Sequence, residues 1–89
     1  MFDASNTPLH FPCAFPIKAF GRGDQDVTAV VLAILQRHVI DLSAVTWQSR
    51  PSGGGKWQAV TAVIPATSRA QLDAIYTDLS AHECIVYTL

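Results

Sequence analysis

The chain has 89 residues, of which 49% are hydrophobic and 15% are charged, and its formal net charge is −1 at pH 7. This length fits one domain with a single core. A chain so close to neutrality lacks the basic field that nucleic acids and anionic membranes require of a partner, so neither is predicted to bind. A small domain cannot bury this much apolar material, and we expect an apolar surface patch that serves as an interaction site.

The N-terminal stretch, residues 1–14, shows no hydrophobic periodicity, so it is interpreted as an extended lead-in to one domain at residues 15–89. It has neither the basic flank nor the apolar run of a secretory signal. The two cysteines form no CxxC motif and are too few for a secreted disulfide scaffold. These features predict a cytoplasmic protein.

The first strand is predicted at residues 15–20, where side chains alternate between two environments. Phe15, Ile17 and Ala19 share one face, and Lys18 and Phe20 share the other. The first face is expected to lie on the core.

A helix is predicted after the turn at residues 21–23. Asp24 is the expected N-cap, and Asp26 would place negative charge in the first turn, where the helix dipole favours it. Apolar residues recur at helical spacing over residues 27–38, which makes one face of this helix a core face.

Two further strands are predicted at residues 45–50 and 56–66, joined by a glycine-rich hairpin loop at residues 51–55. The longer strand also alternates. Its core face is expected to hold Val60, Ala62 and Ile64, and its opposite face Trp57, Ala59, Thr61 and Val63.

The second helix is predicted to open at a capping box, Ser68-x-x-Gln71, and the last strand at residues 84–89. The resulting order, βαββαβ, predicts an α+β ferredoxin-like fold with a four-stranded antiparallel sheet in the order 4-1-3-2. Both helices are expected on one face. The predicted core comprises Ile34, Leu35, Val60, Ile64, Leu72, Ile75 and Leu79.

An ordered set of short motifs extends from Leu9 to the end of the chain and resembles the YbeD family of small bacterial proteins. The motifs are Leu9-x-Phe11-Pro12-x-x-Phe15-x-x-Lys18-x-x-Gly21, Gln36-Arg37-His38, Pro51-Ser52, Gly55-x-Trp57, Ala66-Thr67, Gln71, Tyr76 and Leu79. The resemblance implies a ferredoxin-like fold similar to the ACT-type regulatory domains. The family has no established biochemical function, although a role near lipoate metabolism has been suspected.

The turn Gly21, Arg22, Gly23, Asp24 is the candidate ligand site in one of two functional hypotheses. ACT-type domains bind amino acids at this loop, so the resemblance implies a sensor of an amino acid or a lipoate-related metabolite. Without a third glycine, and with acidic residues at the helix start, the turn does not fit a dinucleotide. Its plain interpretation is a connection between strand and helix.

No catalytic residue, metal ligand or cofactor is predicted. The histidines and cysteines lack metal-ligand spacing. No nucleophile and base stand in a recognisable pattern, and the carboxylates fit helix ends and solvated helix faces. The protein is therefore predicted not to be an enzyme.

The leading hypothesis is a regulatory or interaction module that docks a protein partner, or a second copy of itself, on the uncovered sheet face or an edge strand. The predicted surface comprises Lys18, Phe20, Trp57, Thr61, Val63 and Val86. In one alternative the lead-in folds over this face. In another the domain binds RNA, since RNA-recognition domains share this fold class, but apart from Phe20 and Trp57 the aromatic and basic pattern is missing.

Overall fold

Four antiparallel strands form one sheet, and two helices pack on one of its faces. The computed structural model describes residues 10–89. The elements in chain order are β1 (Cys13–Arg22), α1 (Val27–His38), β2 (Thr46–Ser52), β3 (Trp57–Ala66), α2 (Arg69–Ala81) and β4 (Ile85–Thr88). The strand order is β2-β3-β1-β4. The predicted ferredoxin-like βαββαβ fold and the order 4-1-3-2 are confirmed.

The strands differ from prediction mainly at their ends. Strand β1 begins at Cys13, which pairs with Ala66, so the last two residues of the predicted lead-in belong to the sheet. Strand β2 continues to Ser52 and β3 begins at Trp57, so the hairpin loop covers residues 53–56 and includes Lys56, which was predicted to start the strand. The first nine residues of the predicted lead-in lie outside the described residues, as does the alternative in which they cover the sheet.

The core lies between the helices and the facing side of β1 and β3. Antiparallel pairing places Ile17 beside Ala62 and Ala19 beside Val60, and all four side chains are fully or almost fully buried. The helices complete this layer with their apolar stripes. All seven predicted core residues are buried: Ile34, Leu35, Val60, Ile64, Leu72, Ile75 and Leu79.

The N-cap of α1 is Asp26, so the prediction of Asp24 was wrong. The Asp26 side chain accepts a hydrogen bond from the Ala29 amide at 3.1 Å. A turn precedes the helix, because the Gln25 amide donates to the Arg22 carbonyl at 3.0 Å. The helix therefore begins at Val27, whose side chain is fully buried in the core.

The N-terminus of α2 follows the predicted capping box in part. The Ser68 hydroxyl accepts from the Gln71 amide at 3.1 Å. The Gln71 side chain reaches back, but it accepts from the Thr67 amide at 2.7 Å, one residue before the N-cap. Its amide nitrogen also donates to the His38 carbonyl at 2.9 Å, which ties α2 to the end of α1.

A second polar contact between the helices centres on Asp78. The His38 Nε2 donates to its carboxylate at 2.6 Å, and Arg37 lies 3.7 Å from the same oxygen. The hydrogen bond from His38 is the main cause that lowers the pKa of Asp78 below its ordinary value. The folded state therefore favours the ionised carboxylate.

We expect Asp78→Asn to lower the melting temperature at pH 7 by roughly 2–5 °C, because the contact between the helices loses its charge. The pKa of Asp78 is lower in the folded state than in the unfolded state, where it is about 4, so the ionised carboxylate stabilises the fold above about pH 4. This stabilisation is lost as the pH falls through the folded pKa. The difference between wild type and variant should therefore shrink below about pH 4. Thermal melts followed by circular dichroism from pH 3 to 7 measure it.

The matched control is Asp73→Asn, which removes a carboxylate from an exposed position of the same helix. Its melting temperature should stay close to that of the wild type across this pH range. Equal effects of the two substitutions would contradict a specific role of the Asp78 contact.

Candidate functional site

The candidate site is the sheet surface that faces away from the helices, here called the open face. Strand register assembles it from rows of side chains that cross the sheet. One row is Gln48, Thr61, Lys18 and Leu89; the next is Arg50, Ala59, Phe20 and Tyr87; a third is Ser52, Trp57 and Arg22. No helix or strand of the described residues lies over these rows.

A shallow depression of about 360 Å³ occupies the middle of the open face. It spans the first two rows and is lined by Lys18, Phe20, Gln48, Arg50, Ala59 and Thr61. Small residues on β3 form its floor, because Ala59 and Thr61 stand between longer side chains on the flanking strands. Four of the six lining side chains can donate hydrogen bonds.

Aromatic side chains border the depression. Phe20 and Tyr87 lie on neighbouring strands with ring centroids 5.5 Å apart and planes inclined by 41°. Tyr87 remains 55% exposed, and Trp57 in the next row is 43% exposed. These rings leave an apolar surface in solvent, which is unusual for a structural contact and typical of an interface.

Strand register places Tyr87 on the open face, a residue that the sequence analysis did not include in the predicted surface. A register shift between Phe20 and Gly21 places Tyr87 opposite Phe20 and leaves Val86 at the irregularity. Leu89 continues the pairing, since it exchanges two backbone hydrogen bonds with Lys18 at 2.9 and 3.3 Å. Register therefore places Tyr87 and Leu89 on the open face, and Val86, at the irregularity, is 57% exposed.

Among residues 10–89, acidic side chains are absent from the sheet, whereas cations occur on both the sheet and the helices. The open face holds three cations, Lys18, Arg22 and Arg50. Within residues 10–89 the strands contain no aspartate or glutamate, and the carboxylates lie on helices, at their caps or in loops. In the same part of the chain no ion pair involves Lys18 or Arg50, so both charges are available to a ligand.

The predicted ligand turn is packed against neighbouring backbone. A Cβ at Gly21 would clash with the Cys84 carbonyl oxygen and lie 2.6 Å from a Val27 methyl group, and one at Gly23 would clash with the Gly55 carbonyl oxygen. The Gly23 amide donates to the Lys56 carbonyl at 2.8 Å. Both glycines thus permit close approach of the chain. Of the remaining residues of this turn, Arg22 belongs to the open face and Asp24 is exposed.

Three other features bear on possible functions. Among residues 10–89, no group of three or more histidine, cysteine or acidic side chains is arranged to hold a metal ion. Both cysteines are free thiols, and the Cys84 Sγ lies 3.2 Å from the Gln25 side-chain oxygen. Neither helix in the described part of the chain has the length and apolar character needed to cross a membrane.

Relatives of this chain are found in several bacteria. A UPF0250 protein of Chromobacterium violaceum is 34% identical over the full length of both chains. A UPF0250 protein of Nitrosomonas europaea is 37% identical, covering 91% of this chain and 93% of the relative. In fold, the chain is similar to a protein of H. pylori solved in solution, with a TM-score of 0.70, 12% identity, and coverage of 100% and 96% of the two chains.

The family model described as "Protein of unknown function (DUF493)" matches residues 6–89. This match and the UPF0250 relatives confirm the predicted resemblance to the YbeD family. The chain belongs to the DUF493 family of proteins of unknown function.

Proposed function

We propose that this chain is a non-enzymatic, cytoplasmic interaction module that docks a partner protein on the open face of its sheet. The observation that supports this best is the Phe20–Tyr87 pair beside the central depression. Aromatic side chains that remain in solvent after folding are the groups that supply most of the binding energy in protein interfaces.

The position of this surface also supports docking. The depression lies on β1, β2 and β3, whose backbone is fixed by pairing along the sheet. A rigid platform loses little conformational entropy when a partner binds. The core lies between the helices and the other side of the sheet, so side chains on the open face can be replaced without removing core contacts.

A photo-crosslinking amino acid, p-benzoylphenylalanine, tests the proposal when it replaces Gln48 in the producing cell. Gln48 is exposed and lines the depression, so we expect ultraviolet light to link it to a distinct protein. The control position is Thr77, which is exposed on α2. No adduct at position 48, or the same adduct in equal yield from both positions, would contradict docking on the open face.

Trp57→Ala gives a second measure of the same function. The Trp57 indole is 43% exposed, so its loss should change the free energy of unfolding by only about 1 kcal/mol or less. As an aromatic anchor it should contribute more to binding, about 2 kcal/mol. The adduct at position 48 should therefore decrease strongly in a variant that remains folded. An unchanged yield of this adduct would show that Trp57 does not contribute to the interface.

A further inference from the structure

We infer that the open face binds an acidic segment of its partner, with carboxylates that reach Lys18 and Arg50 and an apolar side chain that contacts Phe20 and Tyr87. This inference rests on the proposed docking function and names the chemistry of the partner. It follows from charge on the open face, because among residues 10–89 the strands place three cations and no aspartate or glutamate side chain around the aromatic pair.

The two cations at the depression stand on opposite sides of it. Lys18 lies on β1 and Arg50 on β2, two strands away and two residues along. Two strand spacings and the two-residue offset together separate their Cα atoms by about 12 Å, a span that a short peptide segment crosses. Ala59 and Thr61 on β3 lie between them, and Phe20 lies beside Lys18 on β1. A partner segment with carboxylates for the two cations and an apolar side chain next to them, over Phe20, matches this arrangement in charge and in hydrophobicity.

A second copy of the chain does not complement this surface. If two open faces met about a twofold axis, each would present the same residues to the other. Lys18, Arg22 and Arg50 of both copies would then share one interface, with no carboxylate from the paired strands to offset them. Like charges that are desolvated together destabilise an interface. The charge pattern therefore favours a different protein as the partner, and we expect the chain not to dimerise through this face.

A nucleic acid fits the open face less well than an acidic protein segment does. Domains that bind RNA on a ferredoxin-like sheet stack bases on aromatic residues of both central strands. Here β3 carries Trp57 at its first residue, but its residue opposite Phe20 is Ala59, and the Phe20 ring already packs against Tyr87. Three cations also give a weak field for a polyanion when the helices carry carboxylates.

Three probes and two variants test the inference on the full chain. The probes are a twelve-residue glutamate peptide with two central tryptophans, its lysine counterpart, and octauridylate RNA. We expect the glutamate peptide to shift the NMR signals of Lys18, Phe20 and Thr61 in the isotope-labelled protein. The double variant Lys18→Glu, Arg50→Glu should weaken its binding by at least about tenfold. The control Arg69→Glu, which reverses an exposed charge on α2, should change the Kd by less than about twofold.

Three results would overturn the inference: no binding of the glutamate peptide, a lysine peptide or RNA that binds this face more tightly, or equal Kd values for the double variant and the control. The segment linked to position 48 supplies a separate readout. An adduct to an acidic segment of another protein supports both proposals. An adduct to a neutral or basic segment, or to a second copy, refutes the acidic partner while a contact surface at the open face remains. Absence of any adduct refutes docking itself.

Discussion

Replacement of Ile75 by alanine is expected to destabilise the domain by about 2–5 kcal/mol. Ile75 is fully buried on α2, where it belongs to the cluster that joins both helices to the sheet. The substitution removes apolar atoms and leaves a cavity that the surrounding strands cannot fill completely. Because small domains are stable by only about 5–15 kcal/mol, this loss is a large share of the total. Urea unfolding followed by circular dichroism measures it.

Two further variants keep this experiment informative. Ile75→Val removes a single methylene and should cost about 0.5–1.5 kcal/mol, so it can be measured even if the alanine variant does not fold. Thr77→Ala changes an exposed residue of the same helix and should alter stability by no more than about 0.5 kcal/mol. A cost below about 1 kcal/mol for Ile75→Ala would show that this face of α2 is not buried as described.

The second large effect is expected at Gly21, where alanine should cost about 1–3 kcal/mol or more. The added Cβ would meet the Cys84 carbonyl oxygen and a Val27 methyl group. The carbonyl belongs to the backbone and cannot rotate away, so either the segment before β4 or the start of α1 must move. Loss of stability in urea, with shifted NMR signals near Cys84 and Val27, is the expected result.

Gly54→Asn is the matched control for crowding. Gly54 has φ of 71°, and apart from its chain neighbours no heavy atom lies within 4 Å of the position of a Cβ there. Asparagine tolerates this left-handed conformation, so the variant should lose well under about 1 kcal/mol. If Gly54→Asn costs as much as Gly21→Ala, close approach is not the reason for glycine at position 21.

The fold could be predicted because its signals are local and repeated. Alternation along Phe15–Ile17–Ala19 and Val60–Ala62–Ile64 identifies two strands and the side of each that faces the core. The capping residues Ser68 and Gln71 mark the start of the second helix. Once six elements are in order, right-handed crossovers leave few topologies, so the sheet order follows without any long-range information.

The composition of the open face could be predicted only in part, because it depends on register between distant strands. Lys18 and Phe20 follow from alternation within one strand, but the approach of Arg50 and Gln48 to them depends on where β2 pairs with β3. The irregularity in β4 has no signature in the sequence, and it brings Tyr87 opposite Phe20. The three cations of the open face come together only through strand pairing, so their clustering could not be predicted from the sequence alone.

The separation of charge between the two layers makes the molecule an electric dipole. Its positive end is the open face, and its negative end is the helix layer with its loops, where six carboxylates outnumber three cations among residues 10–89. In the field of a negatively charged surface such a molecule turns before contact, so that its cationic side leads. At 0.1 M salt this field extends only about 10 Å, and the rotation takes place in the last stage of approach. A larger fraction of collisions then begins with Phe20 and Tyr87 already directed at the other molecule, before any side chain has been desolvated.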